Sequence, residues 1–119
     1  MTLTEAIEAV DSAKYNACSR MEKIAWLDRL DRQVKLFMER YGDVGSVGYT
    51  MDTDPDTQLL LPAPFDEAYL RSLEAQIDYQ NGEFTRFNNA MALFSSVRTA
   101  FENHYNRTHI PLGTCLRYF

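Results

Sequence analysis

A run of apolar residues after Ser19 constrains the fold more than any other feature of the chain. These residues recur at steps of three and four positions, which places them on one face of an α-helix: Ile24, Leu27, Leu30, Val34, Phe37 and Tyr41. Ser19 and Glu22 have the spacing of a capping box at its start, and Gly42 suits its end. Because such a helix is stable only when its apolar face is buried, the chain is predicted to form a helical bundle.

The opposite face of this helix is predicted to be solvated. It carries the pairs Asp28–Arg32 and Asp31–Lys35, each with the acid four positions before the base. Pairs of this spacing stabilise an exposed helix surface. Trp26 lies outside the main apolar stripe, so it either flanks the core or anchors an interface.

Three further helices are predicted from the same periodicity. A short one begins after Thr4 and ends near residues 14–16, a third covers about 66–81, and a fourth covers about 83–105. The short Asn81-Gly82 link predicts that the third and fourth helices pack antiparallel. The expected core consists of Ile24, Leu27, Leu30, Val34, Leu70, Leu73, Ile77, Phe87, Met91 and Phe94.

Length and composition favour a single domain over residues 1–119. The chain has 45% hydrophobic and 24% charged residues, which is ordinary globular composition. The predicted fold class is all-α: a small bundle of about four helices, with a long irregular loop over 43–63 and a C-terminal tail over 106–119. Glycines and prolines exclude a helix from the loop, although 47–51 and 58–61 could form a short β-hairpin.

The composition also excludes several classes of partner. No stretch is rich in lysine and arginine, so no nucleic-acid binding, sequence-specific or general, is expected. No stretch approaches the ~18 apolar residues of a membrane span, so no membrane association is expected. Cys18 and Cys115 lie far apart without metal or redox spacing, which favours reduced thiols in a cytosolic protein.

Charge is distributed unevenly along the chain. Residues 42–83 contain nine acids and one base, Arg71, whereas 16–41 carry a net charge of +2 and 84–119 carry +3. Two interpretations are open. The acidic segment either contacts a basic surface on another copy, head to tail, or is simply a solvated acidic loop.

Residues with metal or catalytic chemistry do not form a recognised pattern. Asp52, Asp54 and Asp56 alternate as at the start of a calcium loop, but the glycine and the terminal glutamate of that loop are missing. The two histidines and Cys115 fit no zinc spacing. We therefore expect no metal, no cofactor and no catalytic residues, and the protein is not predicted to be an enzyme.

Several stretches resemble one known class of protein. The resemblance lies at 22–31, 59–70, 73–84, 87–94 and 105–109, and includes Leu59-Leu-Leu-Pro-Ala-Pro-Phe and Tyr105-Asn-Arg-Thr-His. These stretches resemble small helical proteins encoded among the capsid genes of phages and prophages of Gram-positive bacteria. The class is that of head–tail connector, or head-completion, proteins.

The resemblance implies a structural protein at the head–tail junction. Such proteins form an oligomeric ring beneath the portal that lets DNA pass, and they are located in the virion neck and, during assembly, in the bacterial cytoplasm. The implied partners are other copies of the chain, the portal and tail-side proteins, although the isolated chain could be monomeric. The alternative is a small bacterial helical adaptor or regulatory domain that binds one protein partner.

The loop over 43–63 and the tail over 106–119 are the predicted contact surfaces. Both carry apolar side chains that a small bundle does not easily cover, and uncovered apolar groups often mark an interaction site. The candidate partner-binding residues are Trp26, Val47, Tyr49, Met51, Leu59, Leu60, Leu61, Leu116, Tyr118 and Phe119. The alternative is that both segments fold back and cover the core of the bundle itself.

Overall fold

The computed structural model describes residues 1–14, 16–45 and 48–109, and they form four helices. These are α1 (Leu3–Ala13), α2 (Arg20–Met38), α3 (Glu67–Gln80) and α4 (Phe84–Thr108). The predicted small all-α bundle is confirmed. Within the described residues, 48–51 and 58–61 form no β-hairpin, and the one β-type contact is a bridge between Thr2 and Gln58.

The helix starts follow local capping chemistry. Ser19 caps α2 as predicted, because its hydroxyl accepts a hydrogen bond of 3.2 Å from the backbone NH of Glu22. The cap of α1 is Thr2 rather than Thr4, and its hydroxyl accepts from the NH of Glu5. The NH of Thr4 donates instead to the carbonyl of Pro55. The long irregular segment thus satisfies a donor that the first turn of a helix always leaves free.

The helix ends differ from prediction by a few residues. Helix α2 ends at Met38, before Tyr41, while α4 continues past Tyr105 to Thr108. At that end the hydroxyl of Thr108 donates to the carbonyl of His104 at 3.0 Å. Tyr105 also stacks on His109, with ring centroids 3.7 Å apart. These contacts between residues one turn apart support the extra turn of α4.

Helix α3 is the central element, because it packs against each of the other three. It lies antiparallel to α4, as predicted. Phe65, before the start of α3, contacts Phe101 with centroids 5.6 Å apart, and Tyr79 at the other end of α3 contacts Phe87 at 5.4 Å. The turn between them contains Gly82 at φ +75°, a conformation that glycine adopts without steric cost.

Most of the predicted core is buried. Seven of its ten members are buried: Ile24, Leu27, Leu30, Val34, Leu73, Ile77 and Phe94. Leu70 and Met91 are partly buried against the core, and Phe87 is half-buried beside Tyr79. The remaining core includes side chains from α1, from the irregular segment and from α3, namely Leu3, Ala6, Ile7, Val10, Tyr49, Leu59, Leu61 and Tyr69.

Candidate functional site

A buried carboxylate connects the irregular segment to the helices. Asp31 is fully buried, and its Oδ1 atom accepts a hydrogen bond of 2.6 Å from the hydroxyl of Tyr69. Its Oδ2 atom accepts from the hydroxyl of Tyr49 and, at 3.2 Å, from the NH of Leu60. The hydroxyl of Tyr69 in turn accepts from the NH of Leu61 at 2.7 Å. We call Asp31, Tyr49 and Tyr69 the polar centre.

The electrostatics of the polar centre follow from its burial. Burial raises the pKa of Asp31, and the hydrogen bonds from Tyr49, Tyr69 and Leu60 oppose this only in part. Burial and the neighbouring carboxylate raise the pKa of both tyrosines well above the usual range, so their hydroxyls stay protonated and donate. The arrangement uses the carboxylate to bind the chain's own groups. It therefore holds residues 48–61 against α2 and α3.

The predicted pair Asp31–Lys35 is wrong. Asp31 faces the interior, and Lys35 instead lies 3.5 Å from Glu39. The pair Asp28–Arg32 does form, with 2.9 Å between Nε and Oδ2. Asp28 also accepts a hydrogen bond of 2.9 Å from the NH of Tyr49. Asp28 and Asp31 were both predicted to be solvated, but they hold the irregular segment.

This attachment overturns part of the predicted interface. Tyr49, Leu59 and Leu61 are only 9%, 6% and 3% exposed, so these three do not form an outward contact surface. The physical reason is the polar centre, which draws the backbone on either side of Leu60 inward. Leu60 itself is half-buried and packs against the core. For these residues the segment folds back and covers the bundle.

The other candidate residues have different outcomes. Met51 is 54% exposed and stays a predicted contact residue. Trp26 is partly buried and packs against the core, which favours the first of its two interpretations. The remaining candidates, Val47, Leu116, Tyr118 and Phe119, lie outside the described residues, and their partner contacts stay predictions.

The exposed end of the irregular segment is acidic. We call residues 50–57 the acidic tip; its exposed side chains include Met51, Asp52, Asp54 and Asp56. Asp54 accepts a hydrogen bond of 2.9 Å from the NH of Asp56, and its carbonyl accepts from Thr57 at 3.0 Å. Asp54 thus stabilises the turn. In the described part of the chain, no three acidic, histidine or cysteine side chains converge as metal ligands.

A cleft separates α2 from α4. The two helices meet through side chains, since Arg98 donates a hydrogen bond of 3.0 Å to Gln33 and Phe37 contacts Phe101 with centroids 6.1 Å apart, and open space remains beside these contacts. The helices run in the same direction, because Trp26 shares one depression with Met91 while Phe37 contacts Tyr105 with centroids 5.8 Å apart. Two open depressions of about 230 and 330 Å³ lie along this α2–α4 cleft.

The α2–α4 cleft combines an apolar interior with a basic rim. Its apolar side chains are Trp26, Leu30, Leu36, Phe37, Met91 and Phe94. Three arginines line it, Arg29, Arg40 and Arg98, against one acid, Glu102. Glu102 is paired with Arg98 at 3.1 Å. Sequence periodicity does not predict this site, because it does not show which helices lie side by side.

Large apolar side chains are also exposed elsewhere on the helices. Tyr79, Phe84 and Leu93 have exposed fractions between 47% and 59%. Tyr79 and Phe84 contact each other at the turn between α3 and α4, with centroids 6.0 Å apart. None of the helices in the described residues has the length and apolar character needed to cross a bilayer.

Comparison with known proteins does not identify the chain. No family model, curated protein or solved structure matches it.

Proposed function

We propose that this protein is a structural phage or prophage protein at the head–tail junction. In this role it forms an oligomeric ring that links the portal to the tail and lets DNA pass. The observation that carries the proposal is apolar surface left over after the core is complete. Leu36, Tyr79, Phe84 and Leu93 remain 47–69% exposed on α2, α3 and α4, and exposed apolar groups of this kind favour protein contacts.

The resembling stretches supply the groups that hold the fold together. The stretch 22–31 contributes Asp31, and 59–70 contributes Tyr69 and the backbone NH of Leu60. The stretch 73–94 supplies the turn between α3 and α4 with its exposed aromatic residues. A protein that shares these stretches is expected to share the hydrogen bond between Asp31 and Tyr69 and the antiparallel pair of helices.

Charge is consistent with a passage for DNA. The chain carries a net charge of −5, so a ring of many copies repels phosphates in bulk rather than binding them tightly. A tight grip on the backbone would oppose DNA movement. The same negative charge does not favour a role in which the protein packages DNA by neutralising its phosphates.

The proposal is tested by deleting the gene in the prophage that encodes this chain and inducing the phage. We expect DNA-filled heads and separate tails by electron microscopy, with joined particles restored by the wild-type gene in trans. Normal, infectious particles without the protein would contradict the proposal. Normal particles together with specific co-purification of one bacterial protein would favour the adaptor alternative instead.

A further inference from the structure

We propose that the acidic tip of one copy docks in the α2–α4 cleft of the next, so that identical chains associate head to tail. This inference rests on the proposed function and names the contact through which copies assemble. The occupant of the cleft is thus a second copy of the chain.

The charges of the two surfaces are complementary. Arg29 and Arg40 are exposed at the cleft and form no ion pair within the described residues, unlike Arg98. At the acidic tip, Asp52 and Asp56 are exposed, and neither carboxylate is used in the turn that Asp54 stabilises. Complementary rims of this kind steer association and fix its register.

The apolar surfaces also match. Met51, 54% exposed, is the one large apolar side chain of the acidic tip. The cleft offers Leu36, 69% exposed, beside Phe37 in one depression, and Trp26 and Met91 line the other. A methionine side chain is flexible and fits irregular apolar depressions well. An apolar contact surrounded by opposite charges is the usual anatomy of a protein interface.

The positions of the two surfaces exclude binding within one copy and predict a chain or ring. The segment that bears the tip is attached to α2 through Asp28 and Asp31. The cleft uses Gln33 and Phe37 of the same helix. At 3.6 residues per turn, Asp28 and Gln33 lie about 140° apart around α2. The contact therefore joins unlike surfaces, and repeated contacts of that type produce rings or filaments.

Cysteine cross-linking tests the contact directly, even where association is weak. All variants carry Cys18→Ser and Cys115→Ala. One copy carries Met51→Cys at the tip, and a second carries Leu36→Cys at the cleft. Mixed under mild oxidation, they are expected to form covalent heterodimers at least about 10-fold faster than either variant alone, given the scale of electrostatic steering. A single chain with both cysteines is expected to form a ladder of higher oligomers.

The matched control replaces Leu36→Cys by Tyr79→Cys, since Tyr79 is similarly exposed (56%) but lies away from the cleft. This control should cross-link to Met51→Cys only at the background rate. Charge reversal with Arg29→Glu and Arg40→Glu should reduce the heterodimer rate to background, and Asp52→Lys with Asp56→Lys in the tip partner should restore it. Equal rates for the Leu36 and Tyr79 positions would overturn the contact.

The two proposals fail separately. Unjoined heads and tails after gene deletion, with no specific cross-link, would leave the junction role standing and reject this contact. Specific cross-links from a protein that the phage does not need would keep the contact and reject the junction role.

Discussion

Residues 48–61 and α4 differ in a way that their secondary structure does not suggest. The irregular segment places Tyr49, Leu59 and Leu61 in the core. Helix α4 is the longest element, with 25 residues, yet it buries only Ala90, Phe94 and Phe101. Regular backbone and membership of the core are therefore separate properties in this chain. The irregular segment is part of the core, and the long helix mainly presents a surface.

Backbone hydrogen bonding explains the difference. A helix satisfies its own NH and carbonyl groups, so α4 is stable with a narrow buried stripe, which packs mainly on α3 and also contacts Phe37 of α2. An irregular segment has no internal ladder, so its buried polar groups need partners elsewhere. Here the NH of Leu59 donates to the carbonyl of Met1, and the NH of Leu60 donates to Asp31. The segment is ordered because other elements surround it.

The largest effect is expected where the irregular segment is attached. Asp31→Ala leaves the hydroxyls of Tyr49 and Tyr69 and the NH of Leu60 without their acceptor. Because each buried unsatisfied donor costs about 1–3 kcal/mol, we expect a loss of about 3–5 kcal/mol in the free energy of unfolding. Urea unfolding followed by circular dichroism measures it. Asp52→Ala, at an exposed acid, is the control, and equal losses would show that the segment is not held by Asp31.

Sequence periodicity predicted α2 and its buried stripe, because burial of one helix face leaves a repeat of three and four positions. It did not predict the role of Asp31. The i to i+4 spacing with Lys35 fits a solvated pair, and only the arrival of Tyr49 and Tyr69 from distant parts of the chain buries the carboxylate. Tyr49, Leu59 and Leu61 were likewise predicted to form an interface, because their burial also depends on contacts between distant parts of the chain. The α2–α4 cleft likewise depends on how α2 and α4 each pack on α3.

The second comparison lies within α4 itself. Phe94 is 9% exposed, whereas its neighbour Leu93 is 47% exposed. Phe94→Ala removes packing against α2 and α3, and we expect a loss of about 3 kcal/mol in the free energy of unfolding. Leu93→Ala should change it by less than about 0.5 kcal/mol. Thermal and urea unfolding of both variants measure the contrast, and similar losses would mean that α4 is buried more evenly than described.

A smaller effect is expected from removing one hydroxyl at the polar centre. Tyr49→Phe keeps the ring in the core but deletes the donor to Oδ2 of Asp31, which still accepts from the NH of Leu60. A hydrogen bond to a charged group contributes about 1.5–3 kcal/mol, and the remaining partner places the expected loss near about 1.5 kcal/mol. Tyr41→Phe is the control, since its hydroxyl bonds to Asn106 in an exposed position. Urea unfolding that ranked Tyr41→Phe above Tyr49→Phe would contradict the assignment.

The smallest expected effect is the contribution of Asp31 to the pH dependence of the free energy of unfolding. Burial raises the pKa of Asp31 above its ordinary value of 3.8, while hydrogen bonds from Tyr49, Tyr69 and Leu60 offset part of the rise. The folded chain therefore keeps this proton at pH values where the unfolded chain has lost it. The stabilisation from that proton is complete below pH 3.8 and is lost as pH rises through the higher pKa of Asp31 in the folded chain.

Subtracting the free energy of unfolding of Asp31→Asn from that of the wild type at each pH isolates this contribution from the other acids. We expect the difference to fall as pH increases just above 3.8. A difference that rises over the same interval would show that hydrogen bonding outweighs burial at Asp31 and that the polar centre favours the charged carboxylate.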